Sequence, residues 1–236
     1  MVTNTGSRPV NEDAVGAYEG ENGAGFILCD GLGGHGMGDQ ASALVKNVFL
    51  SQFAKMTDPE EILPVAFQSA QDILLAEQKR LNAEKKMKTT AVSMVTDGKT
   101  AFVGHVGDSR LYIFRRNKVK MRTLDHSVPQ MLVFSGEIKE EEIRNHPDRS
   151  MLLKVMGIEW EKSMYELMKP RPLRKCQAFL LCSDGFWELI EEDKMCEFLK
   201  KAGSVKEWLD LMNEEVQKNG VGKNMDNNSA IAVWCG

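Results

Sequence analysis

The chain has 236 residues, 42% of them apolar and 27% charged, with a formal net charge of −4. That length can bury a full core as one large domain or two small ones, and the composition is that of an ordinary globular protein. The negative balance, with Lys and Arg interspersed among Glu and Asp, argues against a nucleic-acid partner, and no apolar stretch approaches the ~20 residues needed to span a bilayer. The opening residues Met1–Gly6 lack the basic and apolar regions of a signal peptide. Five cysteines, Cys29, Cys176, Cys182, Cys196 and Cys235, show no C-x-x-C spacing, and several sit inside apolar runs as small core residues. A cytoplasmic protein with no membrane partner is expected.

In chain order, residues 13–18 and 24–30 read as two strands joined by the turn Glu19-Gly20-Glu21-Asn22-Gly23. A helix is predicted from about Asp39 to Met56, where Ala41, Leu44, Val45, Val48 and Phe49 recur at helical spacing. Asp58 and Pro59 signal the cap and first turn of a second helix, running to Lys86. Four β-rich runs follow at 89–96, 100–106, 110–114 and 119–123, separated by turn-compatible pairs. Residues 125–157 are polar and poor in strand pattern, which predicts a surface excursion. Strand signal returns at 178–182, helices fill about 185–217, and a last strand spans 229–234. Adjacent helices among hairpin-linked strands predict an α+β fold with antiparallel sheets. Without repeats or linkers, residues 1–236 read as a single domain.

Five acidic patches carry the chemistry: Asn11-Glu12-Asp13, Asp30-Gly31, Gly107-Asp108-Ser109, Ser183-Asp184-Gly185 and Asp226-Asn227-Asn228. Most abut a β-type run, so their carboxylates stand rigidly at the rim of a sheet. Where such ends converge, the cluster stays ionised only with cations between the charges. Oxygen-only ligands select hard ions, Mg²⁺ or Mn²⁺. Asp30 ends a strand and can bridge two ions, while Gly31 lets backbone approach closely enough for a carbonyl to ligate. Arg8, just before Glu12 and Asp13, offers a fork suited to phosphate. Each motif also has a plain structural reading: a capped turn for Asp30, Asp184 and Asp226, a surface ion pair with Glu12 or Glu19 for Arg8. Rival chemistries are missing from the sequence: no Cys with Arg six residues on, no D-x-D, no P-loop, no G-x-S-x-G elbow, no H-x-x-x-H.

The whole set resembles the metal-dependent serine/threonine phosphatases of the protein phosphatase 2C family, in their compact bacterial form. The resemblance rests on Gly6–Ala14, Asp30–His35, Gly107-Asp108-Ser109-Arg110, Asp125-His126-Ser127, His146-Pro147, Cys182–Gly185 and Asp226–Ser229. It implies a four-layer αββα sandwich, two antiparallel sheets flanked by helix pairs. It further implies that Asp30 bridges two metals, that the Gly31 carbonyl ligates the first, and that Asp184 and Asp226 ligate the second. Glu12 and Asp13 would hold metal-bound waters, and Asp108 with Asp184 a third, weaker ion. Arg8 would bind the phosphoryl group, and residues 125–157 would form a flap that influences substrate choice.

The implied reaction is hydrolysis of phosphoserine and phosphothreonine in proteins by a hydroxide bridging two Mn²⁺ or Mg²⁺ ions, without a covalent phosphoenzyme. Where many relatives place a histidine after the Asp-Gly pair, this chain has Leu32, and His35 is the nearest candidate acid. The family also implies substrates that are products of a serine/threonine kinase, and a monomeric enzyme. Two alternatives stand beside this reading: a phosphoprotein-binding pseudophosphatase, and a phosphatase dedicated to one regulatory protein. The intact Asp30, Asp184 and Asp226 favour an active enzyme.

Overall fold

The computed structural model describes residues 1–32 and 36–235. Its elements run β1 (Val2–Asn4), β2 (Asp13–Gly20), β3 (Gly23–Asp30), α1 (Gly38–Phe53), α2 (Ile62–Leu81), β4 (Ala91–Thr96), β5 (Thr100–Val106), β6 (Arg110–Arg115) and β7 (Lys118–Arg122). They continue with α3 (Val128–Ser135), β8 (Glu166–Leu167), β9 (Arg171–Pro172), β10 (Ala178–Cys182), α4 (Asp184–Trp187), α5 (Glu192–Lys201), α6 (Val205–Gly220) and β11 (Asn228–Trp234). One sheet has the order β1-β11-β10-β6-β7, the other β2-β3-β4-β5-β8, with β9 also on β5; every pairing is antiparallel.

Period-two alternation sorts these strands into layers. In β4, Ala91 and Val95 face α1 and α2, whereas Val92 and Met94 face the other sheet. In β10, Ala178, Leu180 and Cys182 face α5 and α6, and Phe179 and Leu181 meet the first sheet. Both faces are covered, so both parities are apolar and the strands read as continuous hydrophobic runs. The result is four layers, helix pair, sheet, sheet, helix pair. Phe49 of α1 and Phe67 of α2 lock the first helix pair edge to face at 4.9 Å. Leu180 is fully buried at the centre of the second helical interface, where truncation to Ala would cost about 2–5 kcal/mol.

Several boundaries differ from the sequence reading. The β2–β3 connection is a tighter turn at Glu21-Asn22, because Gly23 at φ 137 lets pairing continue to Gly20. Asp58 does not cap α2: its carboxylate accepts from the Glu60 N–H at 2.9 Å, within a turn that precedes the helix. The helix stops at Leu81, not Lys86, where Asn82 turns left-handed at φ 51. Residues 125–157 are not a purely surface excursion. Asp125, His126, Ser127 and Gln130 are buried, and the segment contains α3, with Ser127 as N-cap and Pro129 in the first turn.

Candidate active site

The register of β2 on β3 sets Asp13 directly opposite Asp30. Backbone bonds fix the end of β3: the Asp30 N–H donates to Thr90 Oγ1 (3.0 Å), and its carbonyl accepts from Thr90 N (2.8 Å) and Thr89 Oγ1 (2.8 Å). The next N–H, of Gly31, donates to the Glu12 carbonyl at 3.0 Å. A Cβ at Gly31 would collide with the Gly38 carbonyl, so only glycine lets the start of α1 close over this strand end.

The second sheet brings its own carboxylates to the same edge. Asp184 opens α4 directly after β10, and its Oδ1 accepts from the Gly185 N–H at 2.5 Å. Ser183, fully buried, donates its hydroxyl to Asp13 Oδ2 at 2.9 Å and ties the two sheets together behind the cleft. Just before β11, Asp226 receives both arms of Arg8, Nε to Oδ1 at 2.9 Å and Nη2 to Oδ2 at 2.7 Å. Asn227 then clamps the N-terminal loop: its amide donates to the carbonyls of Thr5 (2.7 Å) and Val10 (3.0 Å), and its oxygen accepts from Glu12 N (2.8 Å). Asp108, on the β5–β6 loop, is buried, and its carbonyl accepts from Trp187 Nε1 at 3.1 Å.

These groups surround a cleft of about 610 Å³, lined by Arg8, Glu12, Asp30, Gly31, Asp108, Asp184 and Asp226, with Pro9, Val10, Leu32, Asp39, Ser150 and Leu152 among its walls. The carboxyls hold their protons more tightly than free ones do. Loss of water and then the nearby Asp13, Asp184 and Asp108 push Asp30 well up. Burial, followed by Asp184 and Asp125, does the same to Asp108, and burial with Asp226 raises Asp184. Burial raises Asp13 to about 7, although the hydroxyls of Ser229 and Ser183 pull the other way. Glu12 moves up through burial and then the charge of Asp39. Like charges thus share one partly dry site without enough cations of the protein's own.

Of the residues singled out in the sequence, Arg8, Glu12, Asp30, Gly31, Asp108, Asp184 and Asp226 line one cleft. Asp13 stands behind it, and its Oδ1 is buried without a hydrogen-bond partner. His35 lies outside the described residues. Arg8 pairs with Asp226 rather than with Glu12 or Glu19. Sequence reasoning missed Asp39, Asn227 and Glu188. Glu188 lies one helical turn after Asp184, accepts from Arg149 Nε at 2.7 Å, and is raised to about 7 by burial and then Asp184. Their partners are too distant in sequence to be seen in it; only the Asp226-Asn227-Asn228 run gave a signal.

A second cluster forms outside the cleft. His105, His126 and Glu166 each bring one ligand atom within 4.8 Å of the others. The two rings stack at 4.7 Å. His126 Nδ1 accepts from the Gly107 N–H at 3.2 Å, which leaves the ring proton on the Nε2 that faces Glu166. A ring so held presents a donor, not a lone pair, to that trio.

Comparison with known proteins agrees with this layout. Residues 4–226 match the sequence model of Protein phosphatase 2C. A curated relative, serine/threonine phosphatase stp of Listeria welshimeri, is 31% identical over 219 residues, spanning 89% of this chain and 85% of its own. The crystal structure of serine/threonine phosphatase Stp1 from Staphylococcus aureus superposes with a TM-score of 0.90 at 29% identity, covering 99% of this chain and 92% of that one. The catalytic domain of the phosphatase PstP, solved in complex with two manganese ions, superposes with a TM-score of 0.81 at 26% identity, covering 98% and 94%. The chain therefore belongs to the protein phosphatase 2C family.

Proposed function

We propose that this chain is a metal-dependent protein phosphatase that hydrolyses phosphoserine and phosphothreonine in proteins. The observation that carries the reading is the meeting of Asp30, Asp108, Asp184 and Asp226, from two sheets, with Arg8 in one cleft. Residues 1–236 act as one catalytic domain, with 125–157 as a flap beside the cleft. No described helix is long and apolar enough to cross a membrane. The expected setting is the cytoplasm, acting as a monomer on the products of a serine/threonine kinase.

The residues fit hard divalent cations. The donors are all oxygens, burial and then neighbouring charge raise Asp30 and Asp184, and Asp13 keeps a buried oxygen without a partner. Asp30 and the Gly31 carbonyl would hold one Mn²⁺ or Mg²⁺, and Asp30, Asp184 and Asp226 the second. Glu12 and Asp13 would order the surrounding water, and Asp108 with Asp184 would take a third, weaker ion. When bound, the ions supply Lewis acidity that brings the pKa of a water from 15.7 toward roughly 7.

The protein's own groups do the rest. Arg8, half exposed at the cleft mouth, engages Asp226 through Nε and Nη2 and would offer its Nη1 group to the phosphoryl oxygens. Hydroxide supplied by such ions would attack phosphorus as the bond to the serine or threonine oxygen breaks, with no phosphate passing to the enzyme. The leaving oxygen takes a proton from His35 or from water, and inorganic phosphate departs. Most of the acceleration is charge stabilisation and positioning.

The deciding experiment is hydrolysis of a phosphothreonine peptide in EDTA, Mg²⁺ and Mn²⁺, beside Asp184→Asn. Turnover that needs metal and disappears in the variant supports the reading. Folded, metal-loaded protein with no turnover would leave a phosphoprotein-binding module instead.

A further inference from the structure

We propose that the end of the sandwich opposite the cleft is a docking surface for an acidic segment of a partner protein, gripped by Arg115, Arg116 and Arg171. Lys and Arg mix with acids along most of the chain, but two segments break that pattern. Residues 115–120 hold Arg115, Arg116, Lys118 and Lys120 without an acid. Residues 169–175 hold Lys169, Arg171, Arg174 and Lys175, again without one. All but Arg171 are exposed, and none takes part in an ion pair among the described residues.

The fold draws the two segments together. Strand β6 runs from Arg110, just after Asp108, to Arg115, and its six residues carry the chain about 20 Å from the cleft. There the hairpin to β7 turns at Arg116-Asn117. The Asn117 N–H donates to Gln177 Oε1 at 2.8 Å, and Gln177 Nε2 donates to Asn117 Oδ1 at 2.7 Å. The Gln177 N–H also donates to the Phe114 carbonyl at 2.7 Å. From the other sheet, β9 sets Arg171 opposite Ala101, and the Leu173 N–H donates to the Lys99 carbonyl at 2.7 Å. Arg171 and Arg115 both lie near Cys176, whose thiol pKa burial pushes up and the two guanidiniums pull down. The cations therefore cross the seam between the sheets.

Two local costs set this patch apart from an ordinary solvated face. Arg115 is the register partner of Lys118, and like charges directly opposite each other destabilise a hairpin. Arg116 and Asn117 form a two-residue turn with φ of 53 and 55, a conformation that suits Asn or Gly and not Arg. Lysines on β7, an edge strand, discourage pairing with another chain, but that duty does not extend to Arg115 and Arg116. Arg171 keeps a buried Nε–H without an acceptor. A ligand bearing carboxylates would relieve the repulsion, and guanidinium forks match its geometry. Neither segment carries an exposed large hydrophobic side chain to insert among lipids. Neither contains an aromatic ring on which a base could stack. The occupant that fits is a run of Asp and Glu on a protein.

The test follows the fluorescence anisotropy of labelled poly-Glu and poly-Gln peptides of equal length on the Mg²⁺-loaded protein. Wild type should bind poly-Glu at least roughly tenfold more tightly than poly-Gln, and added salt should erode the difference. Arg115→Glu should weaken poly-Glu binding by roughly tenfold, and Arg116→Gly by roughly threefold. Both variants should keep wild-type turnover of p-nitrophenyl phosphate. Both should also raise the thermal midpoint, because the first creates an opposite-charge pair with Lys118 and the second relaxes the turn. Equal affinity for the two peptides, or poly-Glu binding that both variants retain, overturns the inference. So does binding of phosphatidylglycerol vesicles or single-stranded DNA, sensitive to the same variants, without binding of poly-Glu. A midpoint that falls in both variants would give the arginines a structural role and overturn it as well. Binding is read without catalysis, so failure of the phosphatase reading leaves these outcomes intact.

Discussion

Arg8 and Asp226 form a two-pronged pair, Nε to Oδ1 and Nη2 to Oδ2, that joins the N-terminal loop to the turn before β11. Both oxygens of a proposed metal ligand are thereby engaged by the residue proposed to bind phosphate. The hydrogen bonds and then the charge of Asp226 raise the Arg8 pKa, so the guanidinium is always a cation there. An ion on Asp226 would share the carboxylate with the guanidinium, so the two cations compete for its charge.

Removing Arg8 should therefore act in opposite directions on two measurements. In Arg8→Ala, Mn²⁺ binding followed by calorimetry should tighten, because a competitor for Asp226 is gone. The kcat/KM on a phosphopeptide should fall by roughly ten- to a hundredfold, the worth of hydrogen bonds to a charged group. Weaker Mn²⁺ binding would mean that Arg8 orients the ligand instead of competing for it.

Crowded carboxyls make a prediction for metal-free protein. Asp13 and Glu188, both raised to about 7, keep protons in the folded state that the unfolded chain releases. Their stabilising share is present at low pH and is lost as pH rises through 7. His105 and His126 run the other way, lowered by burial, His126 to about 3, so their cost appears only as pH falls below about 6.5. Between pH 6.5 and about 8 the histidine contribution fades and the carboxyls outweigh it. The thermal midpoint in EDTA should fall over that interval, and the increase caused by saturating Mn²⁺ should be larger at the upper end. A midpoint that rises with pH without metal would contradict a crowded cleft.

What could be read from the sequence follows physical range. Asp30, Asp108, Asp184 and Asp226 were legible because each ends or closely adjoins a strong β run, and the antiparallel topology carries those ends to one edge. Helix α3 was missed although its signals are local: Ser127 before Pro129, and Gly136 in the left-handed cap at φ 79. Its surroundings are polar and its apolar face points outward, so periodicity gave no support. Strands β8 and β9 have two residues each and exist only by pairing with β5. The Arg149–Glu188 contact, and the Asn227 grip on Thr5 and Val10, join residues far apart in the chain.

The start of the segment 125–157 conceals a buried charge network, which gives a stability prediction. Arg110 donates Nε and Nη2 to Asp125 at 2.9 and 2.7 Å, with side-chain exposures of only 4% and 2%, and its guanidinium lies 3.4 Å from the Trp187 ring centre. Arg122 reaches the same carboxylate at 3.3 Å. Asp125→Ala would leave buried Arg110 without its close carboxylate, while Arg122 keeps Glu140 at 2.9 Å, and should cost about 3–5 kcal/mol in chemical denaturation. The double variant Arg110→Met/Asp125→Ala should recover part of that loss. Additive losses in the double variant would mean that packing, not charge pairing, governs the site.

Gly185 tests how tightly the two strand ends must approach. It follows Asp184 at the start of α4, and a Cβ there would collide with the Asn227 carbonyl oxygen and press on the Asp226 side chain. The obstacle is backbone, which cannot rotate away as a flexible side-chain tip would. Gly185→Ala must therefore move α4 away from the turn before β11 and separate Asp184 from Asp226. Folding should weaken by roughly 1–3 kcal/mol, as for overpacking elsewhere, and Mn²⁺ affinity should fall in the same protein. Gly36→Ala is the matched control, because a Cβ there meets nothing within 4 Å, although its φ of 89° costs backbone strain. If both substitutions lower Mn²⁺ affinity equally, strain near the cleft and not the spacing of the two aspartates controls binding. If only Gly185→Ala does, the close approach of the strand ends is itself what makes Asp184 and Asp226 a shared ligand pair.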